Sequence, residues 1–487
     1  MRNKIKLLFI KPHFDALNLL IEVPLGILCL SAYLKKHLGN QVDINFLDLR
    51  IEKNKKQVLI DKLTSYQPDI IGVSLMACDH NFFDKNIKTL KKYSPEAKII
   101  AGGSYATYNY SEILTKNKIE CAVIGEGEEV LLNLTKKYLK NECIHDIKGI
   151  AYQERTSVIS TGREEYIEDL DSLPLPDYSI LEIHRYWNNP FIMGDIRAEK
   201  KRTHVMSSRA CPYKCIYCHD IFGKKLRKRS PENFFNEIKM LYNDYGIKEF
   251  NIVDDIFNVD RPRMHDILNL IIDSGLKIKI AFPNGIKADI LTKEDIFLLK
   301  KAGTYIITFP IETSSKRLQK LIKKEMDLDK IIENIKYANK LGIITNGFIM
   351  IGFPTETVDE IKKTINFAIN SGLNMASFFS VAPFKGTALF ELANQQHKVD
   401  YKIHNDFFVE KPYYEAATGF KLTHIQKLAF LRFYSLKRIL TLFLKSPSKF
   451  YFFLWLHHKF ASFLRFLLKI IRKTISPSRV DSTAARC

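Results

Sequence analysis

Long apolar runs are missing from this chain. None of its 487 residues belongs to a stretch of the roughly 20 apolar positions that a membrane-spanning helix requires. The short apolar segment that opens the chain stops at Lys11, too soon for a secretory leader, and suits a first buried strand. Cysteine is sparse as well. Of eight residues, Cys29, Cys78, Cys121, Cys143 and Cys487 stand singly, which excludes a disulfide framework and fits a reducing, cytoplasmic setting. Acidic residues are outnumbered, 54 against 74 lysines and arginines, for a net charge of +20. The excess is spread along the chain with no recognition module, so nucleic acid is not expected as a partner. The rest is globular in composition, 46% hydrophobic and 26% charged, with length for two or three domains.

The remaining cysteines are gathered in one loop, C-P-Y-K-C-I-Y-C, as Cys211, Cys215 and Cys218. Three soft thiolates at this spacing suit an iron–sulfur cluster. A [4Fe–4S] cluster held by three cysteines leaves one iron open for a substrate or cofactor. A structural zinc site wants four closed ligands; His219, the next residue, would complete a Cys3His set, so the loop alone leaves both readings open.

Residues 1–145 alternate short apolar strands (5–10, 42–47, 70–75, 98–101, 122–124) with helical patterns such as 25–38 and 82–92. This predicts a doubly wound parallel sheet, whose ligands bind at the carboxyl ends of the strands. Small residues stand at those ends: Ser74, Gly102-Gly103, and Gly125-Glu126-Gly127-Glu128. Any one of these glycines standing alone would read as a plain turn. Between 146 and 201 the alternation stops, and D-S-L-P-L-P-D at 171–177 reads as an irregular linker.

From 202 to 395 six strand-like runs recur (204–207, 250–253, 279–283, 305–309, 345–351, 376–381), each followed by a helical pattern. The repeat predicts a partial, six-stranded TIM-like parallel barrel with its chemistry at the carboxyl strand ends. The cysteine loop follows the first run, Asp254-Asp255 the second, Asn284 the third, Glu312 the fourth, Gly352-Phe353-Pro354-Thr355-Glu356 the fifth and Pro383 the sixth. A lone carboxylate there would suit a helix start, but capping does not explain the cysteine loop beside the set.

These features resemble the cobalamin-dependent (class B) radical S-adenosylmethionine family. The N-terminal resemblance rests on P-L-G-I-L-C-L-S-A-Y-L from Pro24, Ser74, Gly102-Gly103 and the G-E-G-E element. It implies a Rossmann-like cobalamin-binding domain contacted through Gly26, Ser74, Gly102, Gly103, Gly125, Glu126 and Gly127. The D-x-H-x-x-G motif of other B12 proteins is missing: Lys11 and Ala16 flank His13 where Asp and Gly would stand, so no histidine ligand to cobalt is expected from His13 or His80. The C-x3-C-x2-C loop resembles the radical core motif, which implies a [4Fe–4S] cluster on Cys211, Cys215 and Cys218 and a 5′-deoxyadenosyl radical made from S-adenosylmethionine. By the same resemblance Tyr217 lies near the adenine, Asp254 and Asp255 take the place of the family's Gly-Gly-Glu near the methionine amino group, and Glu312 meets the ribose. Gly352, Pro354 and Glu356 match the element lining the adenine. An electron donor such as flavodoxin or ferredoxin is implied. The sequence names no catalytic residue beyond these ligands.

The C-terminal region, 396–487, is expected to complete the substrate pocket. Within it a cationic amphipathic helix at 450–475, with Trp455 and many phenylalanines, suits either a membrane interface or a packed protein surface; 476–487 reads as a tail. The function expected is methyl transfer to an unactivated carbon, or less often phosphorus, of a small-molecule or lipid substrate. The alternatives are a radical cyclase of the tetrapyrrole type and, from another class, a non-enzymatic cobalamin sensor with a structural cluster.

Overall fold

The computed structural model describes residues 3–13, 21–188, 196–399 and 412–457. Its N-terminal unit is a sheet in the order β2-β1-β3-β4-β5-β6-β7. The strands β1 (Ile5–Lys11), β2 (Val42–Asp48), β3 (Ile70–Ser74), β4 (Lys98–Gly102) and β5 (Cys121–Val123) run parallel. Helices α1 (Leu25–Leu38), α2 (Lys55–Tyr66), α3 (Phe82–Tyr93), α4 (Ser104–Asn117) and α5 (Glu128–Lys140) follow them in turn. Two apolar clusters, one on each face, account for the near-continuous burial of β1, as a doubly covered parallel sheet requires.

The sheet does not end at residue 145. β6 (Ile150–Glu154) and β7 (Ser157–Ser160) add an antiparallel hairpin beyond β5, inside the stretch expected to be linker. Its turn is two residues long, with Arg155 in the left-handed region at φ 53°. A hairpin needs no helical crossover, so it escapes a reading based on strand–helix alternation.

The second unit is a six-stranded, all-parallel sheet in the order β15-β14-β13-β12-β11-β8. Its strands are β8 (Arg202–Val205), β11 (Glu249–Ile252), β12 (Lys279–Phe282), β13 (Thr304–Glu312), β14 (Ile344–Ile351) and β15 (Met375–Ser380). Between β8 and β11 a two-residue antiparallel ladder, β9 (Ser208–Arg209) with β10 (Arg227–Lys228), pinches the stem of the cysteine loop.

The last helices close this half-barrel. The helix Leu422–Phe433 lies along the edge strand β15 and satisfies its outward backbone groups. Gln426 Nε2 donates to the Phe378 carbonyl, and the Tyr434 hydroxyl accepts from the Ala376 N–H and donates to the Ala376 carbonyl. An open edge is thereby capped by side chains. The helix Leu436–Lys445 and residues 449–457, also helical, cover the amino ends of the strands. There Leu442, Phe452 and Trp455 form a core with Ala281, Tyr305, Ile306, Ile344 and Met375. Phe452 and Trp455 are each 2% exposed. Of the two readings of this segment, packing on the protein holds for Trp455: the barrel foot offers an apolar surface that its indole fills. Residues 458–475 of the expected amphipathic helix, and the expected tail, lie outside the described residues.

Candidate active site at the domain junction

The cysteine loop starts from strained backbone. Ala210, directly before Cys211, sits at φ 76°, a left-handed conformation that costs a non-glycine residue on the order of 1 kcal/mol. The loop is tied to the helices that follow β13 and β15: the Ile216 N–H donates to the Ile322 carbonyl, and the Ile216 carbonyl accepts from the Leu389 N–H. Cys211, Cys215 and Cys218 thus hang over the carboxyl mouth of the half-barrel. Cys215 and Cys218 share a hydrogen bond that favours the thiolate on Cys215 and the thiol on Cys218, and the Lys324 ammonium lowers both against burial. A thiol so poised is ready to serve as a thiolate ligand.

Around the loop stand the other strand-end residues. Glu312 is left-handed too, at φ 62°. Its carboxylate accepts from the Tyr217 hydroxyl at 3.2 Å and from Lys324 Nζ at 2.8 Å. Lys324 lies in no recognisable motif; only the fold brings it to this carboxylate. The Tyr217 ring tilts against Phe353, centroids 6.3 Å apart. Past β14, Gly352 (φ 88°) leaves no room for a side chain, because a Cβ would meet Leu422 Cδ2 at 2.4 Å. One Glu356 carboxylate oxygen accepts from the N–H groups of both Gly352 and Phe353, while the other, buried, meets no partner. Burial pushes this carboxyl up to about 7, so near neutral pH it holds a proton part of the time. Pro354 is buried in the same turn.

The two aspartates part company. Asp254 is 2% exposed, and its carboxylate accepts from the Ser207 N–H and the hydroxyls of Ser207 and Ser208, at 2.6–2.7 Å. It therefore braces the end of β8 beneath the cysteine loop. Asp255 is exposed in the mouth.

The carboxyl edge of the N-terminal sheet meets this mouth. After β4, Tyr108 of α4 stacks on His219 (centroids 4.5 Å, planes 25° apart), and its hydroxyl donates to Asp220 Oδ1 at 2.8 Å. Gly386, beyond β15, has no space for a Cβ beside the same ring. His219 is thus built into the domain junction, its Nε2 3.1 Å from the Lys385 carbonyl oxygen. Among the described residues no three His, Cys, Asp or Glu converge as ligands of a single ion must. Thiolates that each bind a different iron need no such convergence. With its ring on Tyr108 and its Nε2 at the Lys385 carbonyl, His219 faces the junction, so the three thiols fit a cluster better than a Cys3His zinc site.

After β5, the G-E-G-E element faces Arg209 and Arg227, which stand directly opposite each other in the β9–β10 ladder. Like charges so placed repel. Glu126 Oε1 lies 3.1 Å from Arg209 Nη1 and 2.7 Å from Arg227 Nη2, and Glu128 Oε1 lies 2.6 Å from Arg209 Nη2. The expected cobalamin contact Glu126 thus has its carboxylate committed to clamping the two domains, a use no local pattern announces. Gly103, Gly125 and Gly127 also have reasons within the chain, since a Cβ would press on Leu75, Arg163 and Leu30 respectively. Gly26 and Gly102 differ: no atom lies within 4 Å of where a Cβ would stand. With Ser74 at the end of β3, Gly102 leaves the sheet edge open, as a corrin resting on the backbone requires.

Two family models match in the order of the two units. Residues 19–135 match the B12 binding domain, and residues 205–368 match the Radical SAM superfamily. A parallel half-barrel with a three-cysteine loop at its mouth, matched from the first strand through the helix after β14, is a radical SAM enzyme. The chain belongs to the members of that superfamily that carry a B12 binding domain, and their cofactors are a [4Fe–4S] cluster, S-adenosylmethionine and cobalamin. The sensor reading falls with this assignment. The chain is similar to an uncharacterized methyltransferase of Pyrococcus horikoshii, 29% identical over 76% of this chain and 78% of the relative. It is also similar to the anaerobic magnesium-protoporphyrin IX monomethyl ester cyclase of Cereibacter sphaeroides, 27% identical over 82% of this chain and 66% of that one. Among solved structures its fold resembles the radical S-adenosylmethionine methyltransferase TsrM of Kitasatospora setae, solved with cobalamin and a [4Fe–4S] cluster bound. The TM-score is 0.66 at 16% identity, covering 80% of this chain and 78% of that one.

Proposed function

We propose that this protein transfers a methyl group to an unactivated carbon, or less often phosphorus, of a small-molecule or lipid substrate held between its two domains. The observation that carries this reading is the junction itself: the loops after β4 and β5 touch the loops after β8 and β15. A substrate at the barrel mouth would then have the radical source on one side and the methyl carrier on the other. When bound, the cluster with S-adenosylmethionine supplies a carbon radical and cobalamin supplies the methyl group. The chain supplies placement and exclusion of water. In this reading Cys211, Cys215 and Cys218 hold the cluster, and Asp255 reaches the methionine amino group. Glu312 receives the ribose, and Tyr217 with the Gly352–Glu356 turn receives the adenine, for which the unpartnered Glu356 oxygen is a ready hydrogen-bonding group. The corrin rests on Gly26, Ser74 and Gly102, within residues 1–145 as extended by the hairpin, and the radical chemistry belongs to 202–395. A cytoplasmic setting would provide flavodoxin or ferredoxin as electron donor.

The similarity to a cyclase keeps ring closure as a second reading. Anaerobic incubation with methyl-labelled S-adenosylmethionine and dithionite separates the two. The reading expects 5′-deoxyadenosine together with a labelled methyl group on the substrate. 5′-Deoxyadenosine with a product that gains no methyl would favour the cyclase.

A further inference from the structure

Eleven large hydrophobic residues are exposed among the described residues, and eight of them fall between 428 and 454. They form outward faces on helices whose inward faces are already buried. On the helix Leu436–Lys445, residues Leu436, Leu440 and Leu444 step by four along one stripe and are 83%, 57% and 69% exposed, while Leu442 is buried against the barrel foot. On 449–457 the same division recurs: Phe450 and Phe453 point outward at 65% and 58%, while Phe452 and Trp455 point inward. Packing on the barrel accounts for the inward set only. A contiguous outward stripe of this kind marks a docking surface.

The charges select the occupant. From 416 to 457 there are seven lysines and arginines and no aspartate or glutamate. Arg438 and Lys445 are turned to oxygens of the barrel, Arg432 to Asn366 and Lys449 to carbonyls of its own turn, while Lys421, Lys427 and Lys437 are exposed. A second copy of the chain, joined through the same patch about a twofold axis, would bring these like charges together. An anionic lipid surface meets both features, with leucine and phenylalanine entering the acyl boundary and lysine reaching the headgroups.

We infer that the 428–454 face docks this protein on an anionic bilayer. Its main part, 436–454, lies at the amino ends of the strands, where Lys445 Nζ meets Asn339 and the Ile343 carbonyl, whereas the cysteine loop is at the carboxyl ends. Docking therefore holds the mouth away from the bilayer, so this surface anchors the enzyme and does not admit substrate.

The test is sedimentation of the full-length protein with phosphatidylcholine vesicles that either lack or contain phosphatidylglycerol. Parent, Leu436→Asp/Leu440→Asp and Lys437→Glu are compared, with iron content and thermal midpoint checking each variant's fold. The inference expects binding to the anionic vesicles only, weakened by salt, and lower affinity in both variants, by about tenfold or more in the leucine pair. It is overturned by equal binding of parent and variants, by equal binding to neutral vesicles, or by no binding. A leucine-dependent dimer that forms without vesicles and excludes them would also overturn it, in favour of a second copy.

Discussion

Replacing Glu126 by glutamine should loosen the clamp between the two domains while leaving the shape of the site unchanged. The carboxylate faces two arginines at 2.7 and 3.1 Å, and the three side chains are only 6%, 2% and 8% exposed. Removing one partner of a buried ion pair costs about 3–5 kcal/mol. Two features reduce that figure here. Arg209 keeps Glu128 at 2.6 Å, and Arg227 keeps the carbonyls of Ile167 and Phe222 at 2.8 and 2.9 Å. Glutamine also retains one acceptor oxygen, so a loss of about 2–3 kcal/mol is expected. A urea-unfolding cycle of parent, Glu126→Gln, Arg227→Met and the double variant isolates the pair, with a coupling of about 2 kcal/mol expected. The acid dependence supplies a second check. Burial raises the Glu126 carboxyl, but the hydrogen bond from Arg227 and the charges of Arg209 and Arg227 outweigh it and hold it below its ordinary 4.5. Its contribution is therefore present above about pH 4.5 and fades as pH falls through the lower folded value, so parent and variant should converge in acid. A coupling under about 0.5 kcal/mol would refute the clamp. So would a variant of unchanged stability that has lost cobalamin binding, since Glu126 would then be a corrin ligand.

Cys215→Ala should abolish 5′-deoxyadenosine formation and the visible absorbance of the reconstituted cluster; persistence of either would remove the cluster assignment. Asp254→Asn and Asp255→Asn should separate, because Asp254 takes three hydrogen bonds from the end of β8 while Asp255, among the described residues, meets only the Ala210 backbone. The first replaces one accepting oxygen by an amide NH2 that faces a donor, costs about 1–3 kcal/mol and lowers iron content. The second keeps iron but weakens S-adenosylmethionine binding, and equal iron loss in both would contradict the division. Glu356, raised to about 7 in the folded protein from an ordinary 4.5, makes the chain lose stability as pH climbs from 4.5 through 7. At about 1.4 kcal/mol per unit this is on the order of 3 kcal/mol. Glu356→Gln should flatten that slope in thermal midpoints taken between pH 5 and 8, and an unchanged slope would place the titration elsewhere.

Much of the architecture is legible along the chain because it is written in local periodicity. The helix at 25–38 and the strands at 42 and 98 begin in the structure where the pattern places them, since burying one face of an element demands a repeat that a short window reveals. The three-cysteine loop is equally local, its ligands only three and four residues apart. What only the tertiary structure decided depends on which surfaces meet. Glu126 and Arg227 are 101 positions apart, and a charge carries no address for its partner. His219 reads as a ligand beside the cysteines, yet the fold presents it to Tyr108 of the other domain. The composition around Trp455 suits a membrane interface and a packed surface alike, and the apolar barrel foot decides for packing, where a buried indole is lower in free energy. Asp254 and Asp255 are identical and adjacent, and the strand end alone sends one into the structure and the other into the mouth. Periodicity reports how each element buries itself; the pairing of one element's charges and rings with another's exists only once the two are folded together.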